Sequence, residues 1–215
     1  MIAKILSYAL TGLNGIPVSV EVDINNGLPS FDIVGLADTS VKESKERVRA
    51  AIKNSGRLMP VKKITANLAP ADVKKEGSAL DLALAIGVLK ASSQIIASTD
   101  GYVFLGELSL DGSLRRVNGV LPIIISAVNE GYDKFIIPKG NEKEASFIEN
   151  AETYAADNLN EVIDHLSGLS PLPRAELSEY VKNPIKNIYD CDLSFVKGQK
   201  TAKRALEVAV SGGHN

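Results

Sequence analysis

Apolar and polar residues alternate along residues 2–10 and again at Val18, Val20, Val22 and Ile24, a period that puts every second side chain on one face of a strand. A chain that opens this way is constrained to build a sheet with one face buried. Residues 11–15 supply the reversal, so the two runs predict a hairpin. Phe31, Asp32, Ile33 and Val34 predict a third strand. Gly35 then turns the chain into a helix with Ser40 and Glu43 at capping-box spacing, running to about Asn54. Residues 62–68 read as a strand, residues 79–91 as a buried helix because they are almost continuously apolar, and residues 103–105 as a return to the sheet.

After a turn at Asp111 and Gly112 the pattern becomes a β-α alternation. Asn118 is placed to cap a helix ending at Gly131, and residues 134–137 form the next strand. Asn141 with Glu144, and Asn158 with Glu161, repeat the capping-box spacing on either side of a strand at 153–156. One unit therefore spans 1–167. Residues 168–190, with Pro171, Pro173 and Pro184 among polar residues, read as a linker, and residues 199–211 as a last helix closed by Gly212 and Gly213.

The 215 residues suffice for a real core, and 45% apolar with 23% charged residues at a net charge of -2 excludes disordered, fibrous and strongly nucleic-acid-coating classes. Cys191 is the only cysteine and there are two histidines, too few for an internal disulfide or a structural zinc site. No apolar run is long enough to cross a bilayer, since the richest, 120–128, contains Pro122. The expectation is a soluble, cytoplasmic protein with no membrane partner.

Two sets of residues carry a family resemblance. The first is DLSFVKGQ at 192–199 with KRALE at 203–207 and GGHN at 212–215. It resembles the opening of the AAA+ module in the ComM/YifB family, also called magnesium-chelatase-like ATPases. The second is LPSFDIVGL at 28–36, VKESKERVRAAI at 41–52 and ITANLAPADVKKEGS at 64–78, which together look like the N-terminal signature of that family. The matches run in order along nearly the whole chain.

The resemblance implies an α+β fold shared with the proteolytic domain of Lon and the C-terminal domain of RadA, a ribosomal-protein-domain-2-like sheet with helices mainly on one face. It also implies a linker and one AAA+ helix in 191–215, cut before the phosphate-binding loop. A hexameric ATP-driven DNA motor acting in branch migration during natural transformation is the implied parent, with ATP and magnesium as its cofactors and none for this fragment. Val196, Lys197, Gly198 and Gln199 would face the adenine in that parent. A metal-inserting chaperone of the magnesium chelatase type is the rival motor.

The likeness to Lon raises a Ser-Lys peptidase as a further alternative, because a lysine that takes a serine proton is a simple activated nucleophile. The matching stretch here is EGSALD at 76–81. Anchored on Asp81 and Leu82, the nucleophile position falls on Ala79, and a slip of one residue would restore Ser78. The base position after GELSL at 106–110 falls on Leu121. Lys74 and Lys75 are the nearest substitutes but read as solvated loop charges, and Ser78 is most economically a helix-start residue bonding free N–H groups. The expectation is a pseudo-enzyme.

Lys42, Lys45, Arg49 and Lys53 recur at steps of three and four, so they share one side of the first helix, opposite Val41, Val48, Ala51 and Ile52. They form either a solvated face, diluted by Glu43 and Glu46, or a track for nucleic-acid phosphates. Lys62-Lys63, Lys74-Lys75 and Arg115-Arg116 would strengthen the second reading by converging on the same surface. With 5% aromatic residues and no tryptophan, a base-stacking platform is poorly supplied. Tyr8, Phe31, Tyr102, Phe104 and Phe135 are expected in the core, and His165 at a helix end.

Overall fold

The predicted hairpin forms from β1 (Ile2–Thr11) and β2 (Asn14–Asn25), paired so that Ile5 lies opposite Val20. The computed structural model describes residues 2–178 and 193–213, which fall into two compact units, Met1–Glu179 and Tyr180–Asn215. In the first unit β3 (Ser30–Val34), β4 (Lys63–Ala69), β5 (Tyr102–Phe104), β8 (Lys134–Pro138) and β9 (Glu152–Ala156) complete a seven-stranded sheet of order β3-β4-β2-β1-β5-β8-β9. Between β5 and β8, β6 (Glu107–Leu108) and β7 (Leu114–Arg115) make a separate small hairpin. Only β2 runs against the other six strands of the large sheet. The unit is therefore α+β with a mixed sheet, parallel where helices cross over and antiparallel on both sides of β2, which pairs with β1 in the hairpin and with β4.

The period-2 pattern sorts the side chains as expected. Ile5, Val20, Leu68, Phe31 and Ile64 are buried on one face, under α1 (Thr39–Asn54), α2 (Asp81–Ala91) and α5 (Leu159–Leu166). Tyr8, Val103, Phe135 and Ile137 point to the other, under α3 (Val120–Asn129) and α4 (Glu142–Ala145). Helices thus cover both faces, three on one and two on the other. Ten of the eleven residues of α2 are buried, because it packs against both β1 and β2 and is covered in turn by α1. Gly87 makes that approach feasible: a Cβ there would lie 2.6 Å from Val22 Cγ2. Gly35, at φ 103°, lets β3 turn away beside the Leu68 carbonyl, which a Cβ would meet at 2.3 Å.

Four of the five helix starts are set differently from the sequence expectation. At α2 no side chain caps the helix, and the Ser78 hydroxyl donates to Glu107 instead of accepting from free N–H groups. Asp38, not Ser40, caps α1 by accepting from the Val41 N–H at 2.7 Å. Gly119 rather than Asn118 precedes α3, with no side-chain cap. Asn141 is buried and accepts from Val117 N–H at 3.0 Å while donating to Val117 C=O at 2.8 Å, so it pins a distant loop instead of capping α4. Asn158 does cap α5 as expected, accepting from Glu161 N–H at 3.0 Å, while Glu161 reaches back to the Asp157 N–H at 2.7 Å, one residue before the cap.

The stretch after α5, read as the start of a linker, is bonded to the first unit as far as Ser178. Leu172 N–H donates to His165, Ala175 N–H to Thr153 C=O at 2.8 Å and Ser178 N–H to Ser146 C=O at 2.9 Å, so it straps the β9 edge of the sheet. The remainder of 168–190, with Cys191 and His214, lies outside the described residues. In the second unit α6 (Lys200–Gly212) forms the expected last helix, with Leu206, Val208 and Val210 exposed.

Candidate functional site

Ser78 sits in the turn that leads into α2, at the wall of a cleft of ≈ 550 Å³ formed by the end of β1, the start of α1, β6 and the loop before α3. Its hydroxyl donates to Glu107, whose other carboxylate oxygen lies 3.8 Å from Arg115. Neither neighbouring lysine reaches it. Lys74 pairs with Glu76 at 2.5 Å, and Lys75 is fully buried with its ammonium donating to the Pro70 carbonyl. Burial pulls the Lys75 ammonium below its ordinary range, against the opposing pull of Asp72. Leu121, on α3, is not among the cleft residues. Ser78 therefore faces a carboxylate and no lysine, and a carboxylate is a weak base for a serine proton at neutral pH.

A buried ion pair holds this cleft in shape. Asp81, at the first turn of α2, is fully buried and accepts from Arg47 Nε at 2.6 Å, Arg47 Nη2 at 3.1 Å and Leu108 N–H at 3.2 Å. Arg47 also donates to Ser44 and to the Ser40 carbonyl. One carboxylate thus ties α1, α2 and β6 together three residues beyond Ser78. Burial pushes the Asp81 carboxyl up, Arg47, Ser44 and the Leu108 N–H oppose it, and Asp81 in turn raises the Arg47 guanidinium. Sequence reasoning passed over Arg47, although its position beside Ser44 and Val48 on the inward side of the helix marked it out from the other cations.

The outward side of α1 carries the cation row. Lys42, Lys45, Arg49 and Lys53 are all exposed and none forms an ion pair with a described residue. Lys62 joins them, because with Arg49 and Lys53 it rims a pocket of ≈ 230 Å³ at the end of the helix. The other basic pairs do not converge there: Lys75 is buried, Lys74 is taken by Glu76, Arg115 lies by Glu107 and Arg116 lies 3.8 Å from Glu144.

His165, at the end of α5, is packed against the Tyr154 ring at 4.6 Å and the Tyr102 ring at 5.8 Å between centroids. Its Nδ1 accepts from Leu172 N–H at 3.0 Å, which requires the neutral imidazole and places the proton on Nε2, 3.4 Å from the Tyr102 oxygen. Burial lowers its pKa from the ordinary 6.5. The unfolded chain therefore binds a proton before the folded one does, and stability falls as pH drops below ~6.5, levelling off below the folded pKa. His165→Phe, which keeps a ring and cannot titrate, is expected to lose less stability than the parent in urea unfolding between pH ~7.5 and ~5. Parallel curves for the two proteins would refute this.

In the second unit, Val196 is half-exposed, Gly198 and Gln199 have positive φ (71° and 50°), and the Gln199 carbonyl accepts from Lys203 N–H at 3.0 Å to start α6. These four residues, Val196 to Gln199, thus form a short exposed turn before a helix.

The family described as subunit ChlI of Mg-chelatase matches residues 20–141, more than half of the chain. This chain belongs to that magnesium-chelatase-like AAA+ family, in its ComM/YifB branch. "Uncharacterized protein YifB" of Escherichia coli is 44% identical over 208 residues, covering 96% of this chain and 40% of the relative. "Competence protein ComM" of Haemophilus influenzae is 43% identical over 218 residues, covering 100% of this chain and 42% of the relative. The chain thus spans about two-fifths of the length of these ComM/YifB relatives. A Lon protease of Bacillus thuringiensis is 24% identical over 169 residues, 73% of this chain and 21% of the relative. No described helix is long and apolar enough to cross a membrane.

Proposed function

We propose that the chain is the N-terminal regulatory or substrate-engaging portion of a ComM/YifB-like AAA+ motor, with a Lon-type fold in 1–167 that cleaves no peptide bond and a DNA-facing helix α1. The contrast between two surfaces of one unit carries this reading. Around Ser78 the charges are consumed internally, by Glu107, Glu76 and the Pro70 carbonyl, whereas Lys42, Lys45, Arg49 and Lys53 are exposed with no described carboxylate on them. The relative named as a competence protein agrees with a DNA client.

In the longer parent, ATP and magnesium would drive a hexamer through the AAA+ module. Val196, Lys197, Gly198 and Gln199 fit the adenine side, since an exposed turn offers backbone groups and one apolar side chain. This sequence holds no Gly-x-x-x-x-Gly-Lys-Ser/Thr string, so the triphosphate and its magnesium would be held by other residues of the parent. A magnesium-chelatase-like chaperone would share that engine and differ in its client, a porphyrin in place of DNA.

The peptidase reading has the Lon likeness and the presence of Ser78 in a cleft in its favour. It is tested by incubating the chain and its Ser78→Ala variant with an unfolded protein and following new amino termini. Neither is expected to release peptides above the blank, because no lysine serves Ser78. Release that disappears with Ser78→Ala would overturn the pseudo-enzyme assignment.

A further inference from the structure

We propose that the pocket at the C-terminal end of α1 is a docking site for an acidic, extended protein segment that inserts one aliphatic side chain. Met59, Pro60 and Ile64 give it an apolar lining, Arg49, Lys53 and Lys62 surround it, and no carboxylate lines it. That is the complement of an apolar anchor flanked by acids. Its ≈ 230 Å³ lies below the ~300 Å³ at which small-molecule sites begin, and suits a single side chain. Val61, which also lines it, is 81% exposed, and Leu28, next in sequence to the lining residue Pro29, is 89% exposed, so the apolar surface continues past the lining at Leu28.

The strand geometry favours an extended partner. Ser30 lies in the pocket and begins β3, the outermost strand, and its N–H turns inward to the Lys62 carbonyl. Alternation along a strand then directs the backbone groups of Phe31 and Ile33 to the open edge, where an extended segment can pair. A nucleobase is a poorer occupant, because no aromatic ring lines the pocket to stack on it. The site goes beyond DNA engagement: Arg49 and Lys53 are shared with the cation row, Lys62 meets that row only at the pocket, Met59 belongs to the pocket alone, and Lys42 and Lys45 do not line it.

The test is fluorescence anisotropy of the whole chain with a labelled short peptide carrying one leucine between paired aspartates. A control peptide with serine for the leucine is expected to bind about tenfold more weakly, the loss of one buried aliphatic side chain. Lys62→Glu should weaken the leucine peptide by about tenfold or more, while Lys42→Glu with Lys45→Glu leaves it unchanged. Melting curves check that the exposed substitutions leave the fold intact. Equal binding of the two peptides, or indifference to Lys62→Glu, would overturn the proposal. So would binding of oligothymidine that Lys62→Glu abolishes and the peptide cannot displace, which would make the pocket a nucleic-acid site. Loss of DNA binding in the Lys42→Glu, Lys45→Glu protein with the peptide retained would separate this site from the DNA-facing row.

Discussion

Arg47→Met is expected to destabilise the first unit by ~3–5 kcal/mol, a large share of the ~5–15 kcal/mol that holds a domain together. The side chain of Asp81 is wholly inaccessible and that of Arg47 is 22% exposed, so removing the arginine strands a carboxylate that cannot reach water. The Leu108 N–H and the Ser44 hydroxyl would remain as its only compensation. Asp81→Leu is expected to cost less, because the guanidinium it leaves behind has a path to solvent. The double replacement Arg47→Met with Asp81→Leu should recover much of the loss, since a buried ion pair and a packed apolar pair are often close in free energy. Without Arg47 the burial that already pushes Asp81 up acts unopposed by a cation. The deficit of Arg47→Met should therefore shrink as pH falls and the acid is neutralised. Urea unfolding of the four proteins measures the cycle, and an unchanged midpoint for Arg47→Met would show that the pair holds nothing.

The hairpin, the strand run around it and the inward face of α1 were legible because they depend on periodicity alone: Val41, Val48, Ala51 and Ile52 are all buried. The capping boxes show where that legibility ends. Asn141 with Glu144 and Asn158 with Glu161 have the same spacing, yet only the second is a cap, because the backbone of Val117 claims the first asparagine. A competing partner 24 residues away leaves no local mark. The same holds at the cleft. Ser78 finds Glu107 at a separation of 29 residues, and Lys75 turns back to Pro70 rather than toward the serine that follows it in sequence after Glu76 and Gly77. The coverage of both sheet faces was also hidden, since the amphipathic pattern of α3 shows that it packs on the sheet but not on which side. The cation row could be read from spacing, whereas the arrival of Lys62 at its end required the fold.

Lys45→Glu combined with Arg49→Glu is expected to reduce DNA binding by the chain below detection. The parent chain should bind duplex and single strands modestly and without sequence preference, because phosphate contacts are what the row can make. Each neutralised phosphate contributes roughly one unit to the slope of log affinity against log salt, so affinity should fall steeply as salt is raised. Both side chains are exposed and stand opposite the buried Val48 and Ile52, so melting should be unaffected. The most direct measurement titrates the full-length parent protein with branched, single-stranded and duplex DNA by anisotropy, with and without nucleotide, as wild type and as the Lys45→Glu, Arg49→Glu variant. DNA affinity that is salt-sensitive and lost in the variant is the result predicted here. Equal affinity in the two proteins would contradict it, moving the DNA contact to the ATPase module and leaving this portion as an assembly or protein-docking element.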